Sequence, residues 1–125
     1  MSRADVAALS AAVALGLSAA PARAAEEAYA PTPARTYVAR VVTTTTAHAA
    51  PDAGSPVRMR LGTQTPWVRG PLRLLVLEAR RDEDGLLWVR VRLPKRPNTA
   101  DGWVTENHVR LSTNPYRVEV RTATR

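Results

Sequence analysis

The chain has 125 residues, a formal net charge of +7 and no cysteine, and its only lysine is Lys95. The missing cysteine excludes a disulfide framework, a thiolate zinc site and a cysteine nucleophile. Phe and Ile are also absent and Pro occurs 10 times, so a small core must be built from Val, Leu and Ala rather than as a helical bundle, which suits one domain of roughly 80 to 100 residues.

Residues 1–24 read as a secretory signal peptide. Arg3 lies in a short start, an apolar run follows over 6–20, Pro21 breaks it, and Ala22-Arg23-Ala24 places small residues at the positions a signal peptidase reads. Cleavage is expected after Ala24. The run is shorter than the roughly 20 residues a membrane span needs, so no transmembrane anchor is expected in the mature chain. Residues 25–36, with Pro31 and Pro33, read as an extended linker.

From Tyr37 the pattern is that of short strands. Residues 37–42 are β-rich, and 43–56, with Pro51, Asp52, Gly54 and Pro56, form a loop. Alternation over 57–61 places Val57, Met59 and Leu61 on one face. A loop follows over 62–71, then a nearly continuous apolar strand over 72–80. Asp84-Gly85 signals a hairpin turn. Its partner strand, 86–93, points Leu87, Val89, Val91 and Leu93 one way and Trp88, Arg90 and Arg92 the other. A turn-rich loop leads to a short strand at 102–105, a tight turn at 106–109 and a last strand at 110–112. The expected fold is all-β: a small barrel of about five short strands over 37–113, with closure managing the sheet edges.

The order of an apolar strand, an Asp-Gly hairpin, Trp88-Val89-Arg90-Val91 and Gly102-Trp103-Val104 resembles the bacterial SH3-like module of exported cell-wall proteins. The longer string LWVRVRLPKRPNTADGWVTENHVRLSTNPYRVEV is similar to the segment that precedes the catalytic domain of actinobacterial L,D-transpeptidases. The resemblance covers about 37–120. It implies an SH3-like barrel, with Tyr116–Val120 as the opening strand of a catalytic sandwich, so that 114–125 reads as the truncated start of a catalytic domain or as a tail. Those enzymes attack a peptide-stem carbonyl with a cysteine in a Ser-His-Gly-Cys run. This chain has neither, so no catalytic residue carries over and no enzymatic activity is expected.

The candidate binding residues are Trp88, Arg90, Arg92, Lys95, Arg96 and Trp103, two tryptophans enclosing four cations. Two readings compete: a solvated strand face whose arginine stems cover apolar surface, and a basic patch for peptidoglycan, an anionic wall polymer or an adjacent catalytic domain or protein. Nucleic acid is not expected, because the chain reads as exported and acids are interleaved from Glu78 to Asp84. His48 and His108 lack the spacing and the third ligand of a metal site, and Asp82, Glu83 and Asp84 read as a solvated turn rather than a calcium loop. No metal or cofactor is expected. The expected function is that of a secreted, cell-wall-associated, non-catalytic module. The alternatives are a protein-interaction module for an extended peptide and a gene fragment without separate function.

Overall fold

A computed structural model describes residues 29–123, so the expected signal peptide and its cleavage point lie outside the described residues. The fold is all-β. Among the described residues there are seven strands: β1 (Thr36–Val41), β2 (Thr45–His48), β3 (Val57–Leu61), β4 (Arg73–Arg81), β5 (Leu87–Arg92), β6 (Asp101–Thr105) and β7 (Val109–Asn114). One 3-10 turn, Glu106–His108, joins β6 to β7.

The strands form a single antiparallel sheet in the order β3-β2-β6-β5-β4-β1-β7. This corrects the expected barrel of about five strands in two ways. There are seven strands, and the sheet is open, with β3 and β7 at its edges. The threonine-rich segment read as a loop contains β2, which pairs with β3 and with Trp103 of β6. The chain turns between Val41 and Thr45, so β1 joins β4 and β7 while β2 joins β3 and β6.

One face of the sheet curls around the core. Tyr37, Ala39, Val41, Ala47, Leu61, Leu72, Leu74, Val76, Val89, Val91, Leu93, Val104 and Val109 form one buried cluster. It is a valine–leucine–alanine core, as the composition requires, and each Val or Leu side chain contributes roughly 1.5–3 kcal/mol on full burial. Tyr29, from the segment read as linker, packs edge-on against Tyr37 with ring centroids 5.6 Å apart and so extends the core.

Two bulges set which side chains face outward. Between Val76 and Glu78 of β4 the register against β5 shifts, because Leu77 is an extra residue. Val76 and Ala79 therefore face the core, and Glu78 and Arg80 stand opposite Arg90 and Trp88. Between β2 and β3 the shift falls at Arg58. Leu61 and Met59 pack inward, but Val57 is 58% exposed, contrary to simple alternation. The Asp84-Gly85 turn forms as expected, with Gly85 at φ +82° and its N–H donating to Asp82 O at 3.1 Å.

Candidate functional site

The outward face of β4, β5, β6 and β2 carries four of the six candidate residues. In β5, Trp88, Arg90 and Arg92 alternate with core residues, as the period of two requires. Arg90 stands directly across from Trp103 of β6, and Arg92 across from Asp101.

Both tryptophans are buried although they point away from the core. Trp88 is 3% exposed and Trp103 6%. The indole N–H of Trp88 donates to Asp82 Oδ2 at 2.8 Å, and the His48 ring meets Trp88 edge-on at 5.8 Å. The Arg80 guanidinium lies over Trp103, 5.4 Å from the ring centroid. These two indoles fill a second, smaller layer and are covered by their neighbours, unlike an indole open for stacking.

Arg90 is neutralised. Its two terminal nitrogens reach Glu78 Oε2 and Asp101 Oδ2, each at 3.2 Å. Glu78 also holds Arg80 at 2.6 Å, and Asp101 also holds Arg58 at 2.5 Å. The result is a ladder of alternating charge, Arg80–Glu78–Arg90–Asp101–Arg58, crossing the face. The expected basic patch is thus charge-compensated at its centre.

The remaining cations differ. Arg92 donates to the carbonyl of Thr99 at 2.5 Å, and Lys95 donates to the carbonyl of Arg58 at 3.0 Å. Neutral carbonyls leave both charges uncompensated. Arg96 is exposed and has no partner among the described residues. The loop that carries these groups is braced by Leu93 N–H to Ala100 O and Ala100 N–H to Pro97 O, at 2.9 and 2.8 Å.

These three cations meet an aromatic that the sequence reading passed over. Trp67, in the β3–β4 loop, is 78% exposed and lines a groove of about 530 Å³ with Arg92, Leu93, Pro94, Lys95, Arg96 and Asn98. Thr65 N–H to Gly70 O at 2.9 Å closes the loop beneath it. A flanking Pro66 and Gly70 mark a turn, and only the unpaired tryptophan within it was a signal. The site therefore joins three expected residues to one unexpected one, and leaves out Trp88, Arg90 and Trp103.

The histidines are occupied by local hydrogen bonds. His48 Nδ1 lies 3.1 Å from Ser55 O and its Nε2 3.0 Å from Thr46 Oγ1. His108 Nδ1 lies 2.8 Å from Thr105 Oγ1 and 3.2 Å from Thr45 Oγ1. Both link neighbouring strands or turns. No family model, no curated protein and no solved structure matches this chain.

Proposed function

We propose that the chain is an exported, non-catalytic SH3-like module that binds cell-wall peptidoglycan through the Trp67 groove. In this reading it is related to the module that precedes the catalytic domain of L,D-transpeptidases. The observation that carries it is an exposed indole beside three cations without carboxylate partners. Tryptophan is enriched at interfaces, where it offers an apolar ring and a polar N–H together. Peptidoglycan offers the matching chemistry: sugar rings whose C–H faces stack on an indole, and peptide-stem carboxylates that pair with Arg and Lys. The chain contains no cysteine for acyl transfer, which favours a binding role over a transpeptidase one.

The test is co-sedimentation of the full chain with purified peptidoglycan. Trp67→Ala is expected to abolish most of the bound fraction while leaving the melting temperature unchanged, because Trp67 is exposed. Arg96→Gln is expected to weaken binding at low salt and to matter little at high salt, where exposed charges are screened over a few Å. Undiminished sedimentation of Trp67→Ala would reject the reading.

A further inference from the structure

The outward face of β4, β1 and β7 carries a second, different feature. Arg40 of β1 is paired in register with Arg73 of β4 on one side and with Arg110 of β7 on the other. Three arginines therefore stand in one row across three adjacent strands. Strand spacing of about 4.8 Å makes the row roughly 10 Å long. All three are exposed, and none has a partner among the described residues. Like charges directly opposite across a ladder are destabilising. Elsewhere on the sheet Glu78 and Asp101 neutralise such cations, but no acid does so here.

The row lies in a groove of about 450 Å³ that also includes Val38, Ser112, Thr113 and Tyr116. A second groove, of about 380 Å³, shares Arg40 and adds Arg69 and the backbone around Gly70. Arg69 is likewise exposed and without a partner. Two adjoining grooves with four uncompensated arginines and a shared residue make a track rather than a pocket.

We infer that this track binds a linear polymer carrying a phosphate at each link. The planar guanidinium fork matches phosphate oxygens two at a time and stays charged at every relevant pH. A single small anion would leave most of the row uncompensated, whereas a chain of phosphates running across the strands meets the arginines in turn. The hydroxyl of Ser112, two residues along β7 from Arg110 and on the same face, supplies a neutral donor along the same groove. The inference is independent of the Trp67 groove, which shares no lining residue with either part of the track.

The experiment measures binding of the full chain to inorganic polyphosphate at several salt concentrations. Arg40→Gln, Arg73→Gln and Arg110→Gln combined are expected to lower affinity roughly ten-fold or more and to flatten the salt dependence. A charge-matched control combines Arg35→Gln, Arg60→Gln and Arg117→Gln, all exposed and outside the track. Its affinity should stay near that of the parent. Arg40→Gln alone should exceed Arg60→Gln in effect, because Arg40 serves both grooves. The row variants should melt no lower than the parent, since the substitution removes like-charge opposition.

Equal losses in the two triple variants would show a net-charge effect only and overturn the inference. So would equal affinity for polyglutamate, which would make the site indifferent to phosphate. Tighter binding of oligothymidylate than of polyphosphate would assign the track to single-stranded nucleic acid instead. Binding only to phosphatidylglycerol vesicles would assign it to a membrane surface. Trp67→Ala should leave polyphosphate affinity unchanged, so failure at one site is distinguishable from failure at the other.

Discussion

Trp88 and Asp82 are locked together at the end of the β4–β5 hairpin, with the indole Nε1 2.8 Å from carboxylate Oδ2. The other carboxylate oxygen accepts the N–H groups of Asp84 and Leu86, at 3.0 and 2.9 Å. One side chain thus closes the turn and fixes the ring that fills the outer layer. Residues read from sequence as a solvated acidic turn include one that organises the hairpin.

This arrangement makes stability depend on acid. The Trp88 N–H, followed by the backbone N–H groups of Leu86, Asp84 and Gly85, holds Asp82 below its ordinary value of 3.8 against an opposing effect of burial. A carboxylate depressed in the folded state contributes stability that is present above its unfolded value and lost as pH falls through the folded one. Asp82→Asn is therefore expected to be less stable than the parent at neutral pH, with the difference shrinking as pH drops below 3.8. Urea titrations read by tryptophan emission, across a pH series, check this. A constant difference at all pH values would refute it.

Gly102→Ala is expected to strain the core. A Cβ at this position would lie 2.8 Å from the Ala47 Cβ and 3.3 Å from Leu93 Cδ1. Ala47 has no rotamer with which to move away, so β2 and β6 must separate. The cost expected for such overpacking is about 1–3 kcal/mol, measured by thermal or chemical denaturation. Gly62→Ala, where a Cβ would meet nothing within 4 Å, is the contrasting control.

Arg90 and Arg92, equivalent by alternation, should behave differently. Arg90→Ser removes an ion pair from each of Glu78 and Asp101, which keep only Arg80 and Arg58, whereas Arg92→Ser loses one bond to a carbonyl. Partly exposed pairs of this kind contribute about 0.2–1 kcal/mol each, so Arg90→Ser should be the more destabilising of the two. A double-mutant cycle with Glu78→Gln isolates the coupling. Val91→Asp, by contrast, puts a carboxylate into a fully buried position and should unfold the domain, at a cost of several kcal/mol.

The proposed export is tested by mass. The secreted chain recovered from a bacterial host should begin at Ala25. Recovery of only the unprocessed chain from the cytoplasm would reject it.

The alternation of residues 87–93 was sufficient to assign the inward set, and the composition was sufficient to assign the character of the core. Asp84-Gly85 placed the hairpin because few residues other than glycine tolerate positive φ. The β2 strand was not legible, because four consecutive threonines have no alternation of polarity. Its strand character comes from pairing with β3 and β6. The compensation of Arg90 was equally hidden. Strict alternation through Leu77, with no bulge there, would put Glu78 on the core side with Leu72, Leu74 and Val76, and no ladder would form.

Local pattern determined what repeats along one strand: which residues of β5 face the core, where the hairpin turns, and that the domain is all-β. Tertiary structure decided what depends on neighbours across strands. It buried Trp88 and Trp103 under His48, Asp82 and Arg80, left Trp67 beside Arg92, Lys95 and Arg96, and aligned Arg40 with Arg73 and Arg110. The physical reason is that hydrophobic periodicity reports only the direction in which a side chain leaves its own backbone. Whether that direction ends in solvent, in an ion pair or in a row of like charges is set by register between segments distant in sequence.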